Sequence, residues 1–415
     1  MKLVGVLLAV VIAAIVVLGF FVLGGDSGQQ AGLVIVSPHP ESVLREFAAA
    51  FSAWHEKRHG GPVNVQWEDH GGTSAITKYL YAEFKSRPQG LGIDVFWGGG
   101  FEPYVKLAEA GLLHPWKAPE DTLSKIIPDV GGVPVYDREY RWYGSALSGF
   151  GIIYNKKRLA AKGVPEPKSW QDLASPKLFG EVAAADPRRS GSAHMCYEIM
   201  LQALGYDKGW AALTLMAANA RAFYEGAGDV PRNVSLGQAA AGPVIDFYAW
   251  AQIRENGPEL IGFTLPQSLT VGNPDAIGVL KGAPHVQTAF RFMEFVLSPE
   301  GQRLWMLKPG AAGGPLKDEL CRIPVRMDVY EQCRGQSSVR FDTAALKSDF
   351  RFSPAVDARR RAAFKDLYGA ALIDAHPELV DAWEAVIARG ASAKDTDALC
   401  QPFVTNDELA EMSTK

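Results

Sequence analysis

Cysteine is scarce in this chain of 415 residues: there are four, Cys196, Cys321, Cys333 and Cys400, and no two form a Cys-x-x-Cys pair. That excludes a disulfide-dense scaffold and a zinc ribbon. A surplus of cations is also missing. Lys and Arg total 42 against 46 Asp and Glu, a formal net charge of -4, which argues against a nucleic-acid binder and its need for phosphate-neutralising side chains. There is no Gly-x-Ser-x-Gly elbow, no phosphate-binding P-loop, no complete dinucleotide fingerprint, no internal repeat and no low-complexity segment. Enzymatic chemistry therefore has no positive support. What is present is ordinary globular usage, 47% hydrophobic and 21% charged residues, on a chain long enough for two or three domains.

One hydrophobic run stands apart. Residues 3–23, LVGVLLAVVIAAIVVLGFFVL, carry no charge and match the roughly 20 apolar residues that a helix needs to cross a bilayer. The flank 24–31 has no convincing Ala-x-Ala site, and no cysteine lies nearby to carry a lipid. Lys2 places the amino terminus on the cytoplasmic side. Residues 1–31 read as a membrane anchor and linker, with an atypical cleaved signal as the alternative. Either way the body lies on the periplasmic or extracellular side of the cytoplasmic membrane.

Beyond residue 31, strand and helix patterns alternate. Leu33-Val34-Ile35-Val36 is a continuously apolar strand, and Val43, Phe47, Phe51 and Trp54 recur at helical spacing. Val63–Trp67 reads as a second strand, Gly71-Gly72-Thr73-Ser74 opens a helix, and Ile93–Trp97 is a third strand. A βαβαβ run of this kind predicts a parallel sheet with its ligand crevice at the carboxyl ends of the strands. Gly149–Asn155 reads as a strand that leaves this unit. Thr270–Asn273 and Ala276–Leu280 read as a returning strand pair, and Val286–Val296 as a helix. Helical patterns return over residues 355–390.

Several of these stretches, in this order, resemble the extracellular solute-binding proteins of ABC importers, in the ferric-binding-like branch of the type II periplasmic-binding fold. They include Asp94-Val95-Phe96-Trp97-Gly98-Gly99, Leu107–Leu113, Gly151-Ile152-Ile153-Tyr154-Asn155, Ser169-Trp170-Gln171-Asp172-Leu173, Asp186-Pro187-Arg188-Arg189-Ser190-Gly191 and Phe292–Gln302. The resemblance covers about residues 33–330. It implies an α/β protein of two lobes joined by a hinge: 32–154 with 264–315, and 155–263, followed by a helical C-terminal extension over 316–415. It also implies a monomer that binds a small molecule, hands it to an ABC permease and needs no cofactor.

The candidate ligand contacts follow from strand ends and helix starts. Gly72, Thr73 and Ser74 open a helix at the end of a sheet strand, where unpaired N–H groups and hydroxyls suit an anion; simple helix capping is the alternative. Ser37 and His39 end the first strand, and Gly98 and Gly99 the third. The resemblance adds Arg189, Ser190, Gly191 and Ser192 at a second helix start, with Arg188 beside them, and Asp246 and Tyr248 where ferric binders carry adjacent tyrosines. Trp97 and Tyr248 are expected as aromatic walls, and Glu225 and Asp246 as the acids nearest the site. A donor-rich set of this kind favours a phosphate- or carboxylate-bearing solute. Ferric iron is the alternative ligand, weakened because Phe247 stands in place of one tyrosine and no acid accompanies residues 71–74; no resident metal is expected. A reading of another class, a zinc hydrolase, rests on His55-Glu56-Lys57-Arg58-His59, which matches H-E-x-x-H. A charged, frayed helix end on the surface explains that motif better, since Lys57 and Arg58 fill its interior positions and Gly60-Gly61-Pro62 ends the helix before a third ligand could be presented.

Overall fold

The computed structural model describes residues 31–337 and 349–413. The apolar run 3–23 lies outside them. Among the described residues no helix is long and apolar enough to cross a membrane.

The β-branched run at the start forms strand β1 (Ala31–Val36). Helix α1 (Glu41–His59) follows and buries Val43, Phe47, Phe51 and Trp54, the stripe its spacing predicts. Gly60, at φ 76°, stops it by donating its N–H to Glu56 O. Strand β2 (Val63–Glu68), helix α2 (Thr73–Ser86), strand β3 (Val95–Trp97) and helix α3 (Glu102–Glu109) complete the first unit. β1 pairs parallel with both β2 and β3.

Strand β4 (Tyr143–Asn155) is longer than the sequence suggests, and all 13 of its residues are buried. A second unit follows: β5 (Val182–Ala185), α4 (Gly191–Leu204), α5 (Tyr206–Ala218), β6 (Ala220–Tyr224), β7 (Ala241–Ile245), α6 (Asp246–Asn256) and β8 (Ile261–Thr264). The chain then returns through β9 (Gly272–Leu280) and helix α7 (Val286–Leu297). The expected pair of short strands is thus one strand, with a register shift between Asp275 and Ala276.

The strand order is β2-β1-β3-β9-β4-β7-β5-β6. The ladder is continuous because β4 serves two neighbourhoods. Its first part, to Gly149, pairs with β9, and from Phe150 onward it pairs with β7 and β8. The chain crosses between the two halves at Gly149–Phe150 and again at 265–271.

The boundary expected at residue 316 cuts through the first half. Ile323–Pro324 forms strand β10, which pairs with Leu147 and Ala146 of β4. The helical extension itself consists of α8 (Pro354–Tyr368), α9 (His376–Ala388) and shorter helices. Trp383 on α9 is buried and donates its indole N–H to Asn219 Oδ1 at 2.8 Å, tying the extension to the second half. Arg360 and Glu198, both buried, pair at 2.8 Å between α8 and α4.

The first half's core is an aromatic nest of Phe47, Phe51, Trp97, Phe292, Phe295 and Trp305. Trp170, Tyr197, Trp210, Tyr368 and Trp383 belong to the second half's core. Each such ring contributes about 1.5–3 kcal/mol of burial energy, which makes both halves rigid walls for whatever lies between them. The four cysteines are unpaired buried thiols.

Candidate functional site

A cleft of about 580 Å³ lies where β1, β3, β4, β9 and the starts of α2, α4 and α6 converge. Its size suits a small organic solute. It brings together His39, Gly72, Thr73, Ser74, Gly99, Arg189, Ser190, Gly191, Ser192 and Tyr248, as well as Glu225.

The two helix starts differ in how they are finished. The N-cap of α2 is Gly72, which has no side chain to cap with, and the first amide with a partner is that of Ala75, donating to Gly72 O at 2.9 Å. The N–H groups of Thr73 and Ser74 therefore have no partner among the described residues, which sets aside simple capping by either hydroxyl. At α4 the Ser190 hydroxyl oxygen accepts from Ala193 N at 3.1 Å and so caps the helix, while its own proton stays free to donate. Gly99, at φ 84°, lets β3 approach α2 closely: a Cβ built there would lie 2.4 Å from Thr73 Oγ1.

Three expected residues sit behind the wall rather than on it. Ser37 Oγ donates to His39 Nδ1 at 3.0 Å and so positions the ring. Gly98 is locked into the sheet by donating to Ala276 O at 2.7 Å. Asp246 is 2% exposed and accepts the N–H groups of Gly149 and Phe247, each at 2.7 Å. Trp97 is likewise not a wall; it packs in the core against Phe47 and edge-on to His39. Arg188 is drawn off by Asp186 and Asp374, at 2.8 and 3.0 Å, which leaves Arg189, paired with Glu225, at the cleft.

The structure adds a buried charge network that sequence reasoning missed. The register shift in β9 re-aims Asp275, as strand irregularities do. Its Oδ1 accepts Gly99 N–H at 2.6 Å, and its Oδ2 accepts His39 Nε2–H at 2.5 Å and a guanidinium N–H of Arg322. Burial pushes the Asp275 carboxyl up, but His39, Arg322 and the Gly99 amide outweigh it and hold it below the ordinary value. Burial lowers the His39 pKa against the pull of Asp275, so the ring is neutral near pH 7. Arg322 also stacks on Phe247, its guanidinium carbon 4.0 Å from the ring centre.

Among the described residues six cations line the cleft, Lys78, Lys106, Arg189, Arg322, Arg361 and Lys365, against three carboxylates, Glu102, Glu225 and Asp275. Each carboxylate pairs with an arginine: Glu102 with Arg361, Glu225 with Arg189 and Asp275 with Arg322. The three lysines have no ion-pair partner among the described residues. Asn273, on the crossing strand, is 8% exposed, and its Oδ1 also lacks a partner.

The metal readings fare differently. His55 is buried; its Nδ1–H donates to Gly61 O at 2.8 Å and its Nε2 accepts from Arg291 at 3.0 Å, so both ring nitrogens are used within the fold. That leaves the H-E-x-x-H motif without a free ligand at its first position. In the cleft, Tyr248 is the single phenol among the described residues and both nitrogens of His39 are engaged, a poor donor set for ferric iron.

Comparison with known proteins agrees with this architecture. The pattern of the family described as bacterial extracellular solute-binding protein matches residues 104–311. The phosphoglycerate transport regulatory protein PgtC of Salmonella typhimurium is 36% identical over 159 residues, 38% of this chain and 39% of that protein, so the chain matches about two fifths of that relative's length. An uncharacterized protein of Haemophilus influenzae is 30% identical over 288 residues, 68% of this chain and 77% of that one. Among solved structures, the periplasmic binding protein AfuA of Actinobacillus pleuropneumoniae, with fructose-6-phosphate bound, superposes with a TM-score of 0.65 at 22% identity. The match covers 82% of this chain and 98% of that one, and it is a likeness of fold.

Proposed function

The chain belongs to the bacterial extracellular solute-binding proteins, and from that premise we propose that its cleft captures a small phosphate-bearing anion and delivers it to a membrane permease. The observation that carries this reading is the open start of α2: the N–H groups of Thr73 and Ser74 have no partner among the described residues, and Lys78 on the same helix has no ion pair. The free N–H groups of Thr73 and Ser74 and the hydroxyls of Ser190 and Ser192 are the donors that a phosphate uses. The phosphoglycerate named for the Salmonella relative and the sugar phosphate bound to AfuA belong to the same chemical class.

In this reading the two halves are the lobes, residues 32–154 with 264–333 and residues 155–263, and they close about the crossings at Gly149–Phe150 and 265–271. The apolar run 3–23 tethers the protein on the outer side of the membrane; amino-terminal sequencing that started near residues 25–32 would instead mean a cleaved signal.

Thermal shift and calorimetry with organic phosphates, neutral sugars, polyamines and ferric salts test the ligand class. An organic phosphate at 100 times its Kd is expected to stabilise by about 2.7 kcal/mol. Gly99→Ala, whose methyl would displace Thr73, is expected to weaken that binding about tenfold or more, the worth of about one charge-assisted hydrogen bond. Stabilisation by polyamines, neutral sugars or ferric salts with none by phosphates would defeat the reading.

A further inference from the structure

The C-terminal extension lies outside the family match of residues 104–311, yet it reaches the cleft. Helix α8 carries Asp357, Arg361 and Lys365 four residues apart, which puts them on one face. That face is fixed from behind. Asp357 accepts from His194 Nε2 at 2.8 Å, both groups being buried, and Arg360 holds Glu198. The partners sit on α4, the same helix whose start lines the cleft.

From this platform Arg361 spans to Glu102 on α3, at 2.8 Å, and also pairs with Asp357. Its charge is thereby satisfied. Lys365, one turn further, is half-buried and has no hydrogen bond or ion pair among the described residues. Burial, then the nearby charges of Arg361 and Lys106, depress its ammonium pKa against the pull of Asp357 and Glu102. Nothing within the fold calls for a cation there. Removing a charge from water without a partner is costly, and two neighbouring cations add to the cost.

We propose that Lys365 and Lys106, with Arg361 beside them, form a second anion subsite, so that the cleft selects solutes with two separated anionic groups. This rests on the reading above that the helix starts hold a phosphate. The second group is a carboxylate or another phosphate. Asn273 also lines the cleft, and its buried Oδ1 has no partner among the described residues.

The test is calorimetric, on the wild-type protein and on Lys365→Gln and Lys365→Arg. Glycerol 3-phosphate and 3-phosphoglycerate differ in having a hydroxymethyl or a carboxylate at one end, and 2,3-bisphosphoglycerate adds a second phosphate. At least one of the two probes with two or more anionic groups is expected to bind the wild type about tenfold more tightly than glycerol 3-phosphate. Lys365→Gln should erase most of that advantage and leave glycerol 3-phosphate unchanged, and Lys365→Arg should keep it. The Lys365 ammonium makes no hydrogen bond or ion pair among the described residues, and a melting temperature of the free variants no lower than that of the wild type confirms that they fold. Equal affinity of the wild type for all three probes would overturn the second subsite, as would an equal loss for all three in Lys365→Gln. Both of those results leave the phosphate site standing. Failure of all three probes and of inorganic phosphate to bind would overturn the phosphate reading itself.

Discussion

Replacing Arg322 with alanine is expected to destabilise the protein by about 3–5 kcal/mol and to abolish ligand binding. The side chain is 4% exposed, its guanidinium bonded to Asp275 and set between the rings of Phe247 and Trp305. Without it, the Asp275 carboxylate stays buried with only a neutral imidazole and one amide N–H as partners. The loss comes mainly from that stranded charge, and only secondarily from the missing contact. Asp275→Asn combined with Arg322→Ala should therefore be more stable than Arg322→Ala alone, although it carries one more substitution. Urea unfolding of the wild type, both single variants and the double variant at pH 7 measures the coupling. If the double variant were the least stable of the four, the stranded-charge account would be wrong.

The same network marks where the sequence stops being readable. Gly72-Thr73-Ser74 was legible because strand, turn and helix start are neighbours in the chain, and the chemistry follows from local backbone geometry alone. Ser190–Ser192 needed the family resemblance. Between Arg188 and Arg189 nothing local decides, since the choice is made by Asp374 in the extension, which claims Arg188 from 186 residues away. Asp275 was hidden by its own surroundings. Pro274-Asp275 interrupts an apolar pattern, which reads as a gap between two strands, whereas the strand continues and the acid is buried. A carboxylate inside an otherwise apolar strand was the available signal. Arg322 lies in a stretch with no clear period, and only its pairing beside β4 gives it a place. For α8 the apolar face, Ala363, Phe364 and Tyr368, was readable, but which polar residue next to that face meets the cleft depends on docking through Glu198 and His194. Residue types and helix faces are local facts; the convergence of distant chain segments on one cleft is not.

A second large effect is expected from pH, through Asp246. Its carboxyl joins Gly149, on the crossing strand, to the first turn of α6, and it faces Arg322 and Ser148. Burial pushes its pKa from the ordinary 3.8 up to about 7, against the opposing help of the Gly149 and Phe247 amides, Arg322 and Ser148. The folded chain therefore holds this proton more tightly than the unfolded chain does. Its contribution to stability is complete below about pH 3.8, declines as the pH rises, and is gone above about pH 7. At about 1.4 kcal/mol per pH unit, the decline is on the order of 4 kcal/mol. Other groups act in the opposite sense. His39 and His194, both lowered by burial, lose stability as the pH falls below their ordinary 6.5, and Asp357, held near 2 by His194 and Arg361 against its burial, does so below 3.8. These effects are shared by wild type and Asp246→Asn and cancel in the difference between them. The asparagine also loses one N–H acceptor, a penalty that does not vary with pH. The stability of Asp246→Asn relative to wild type should thus improve by up to about 4 kcal/mol between pH 4 and pH 8, read from urea unfolding at half-unit intervals. Two parallel stability curves across that range would show that Asp246 does not titrate there in the folded protein.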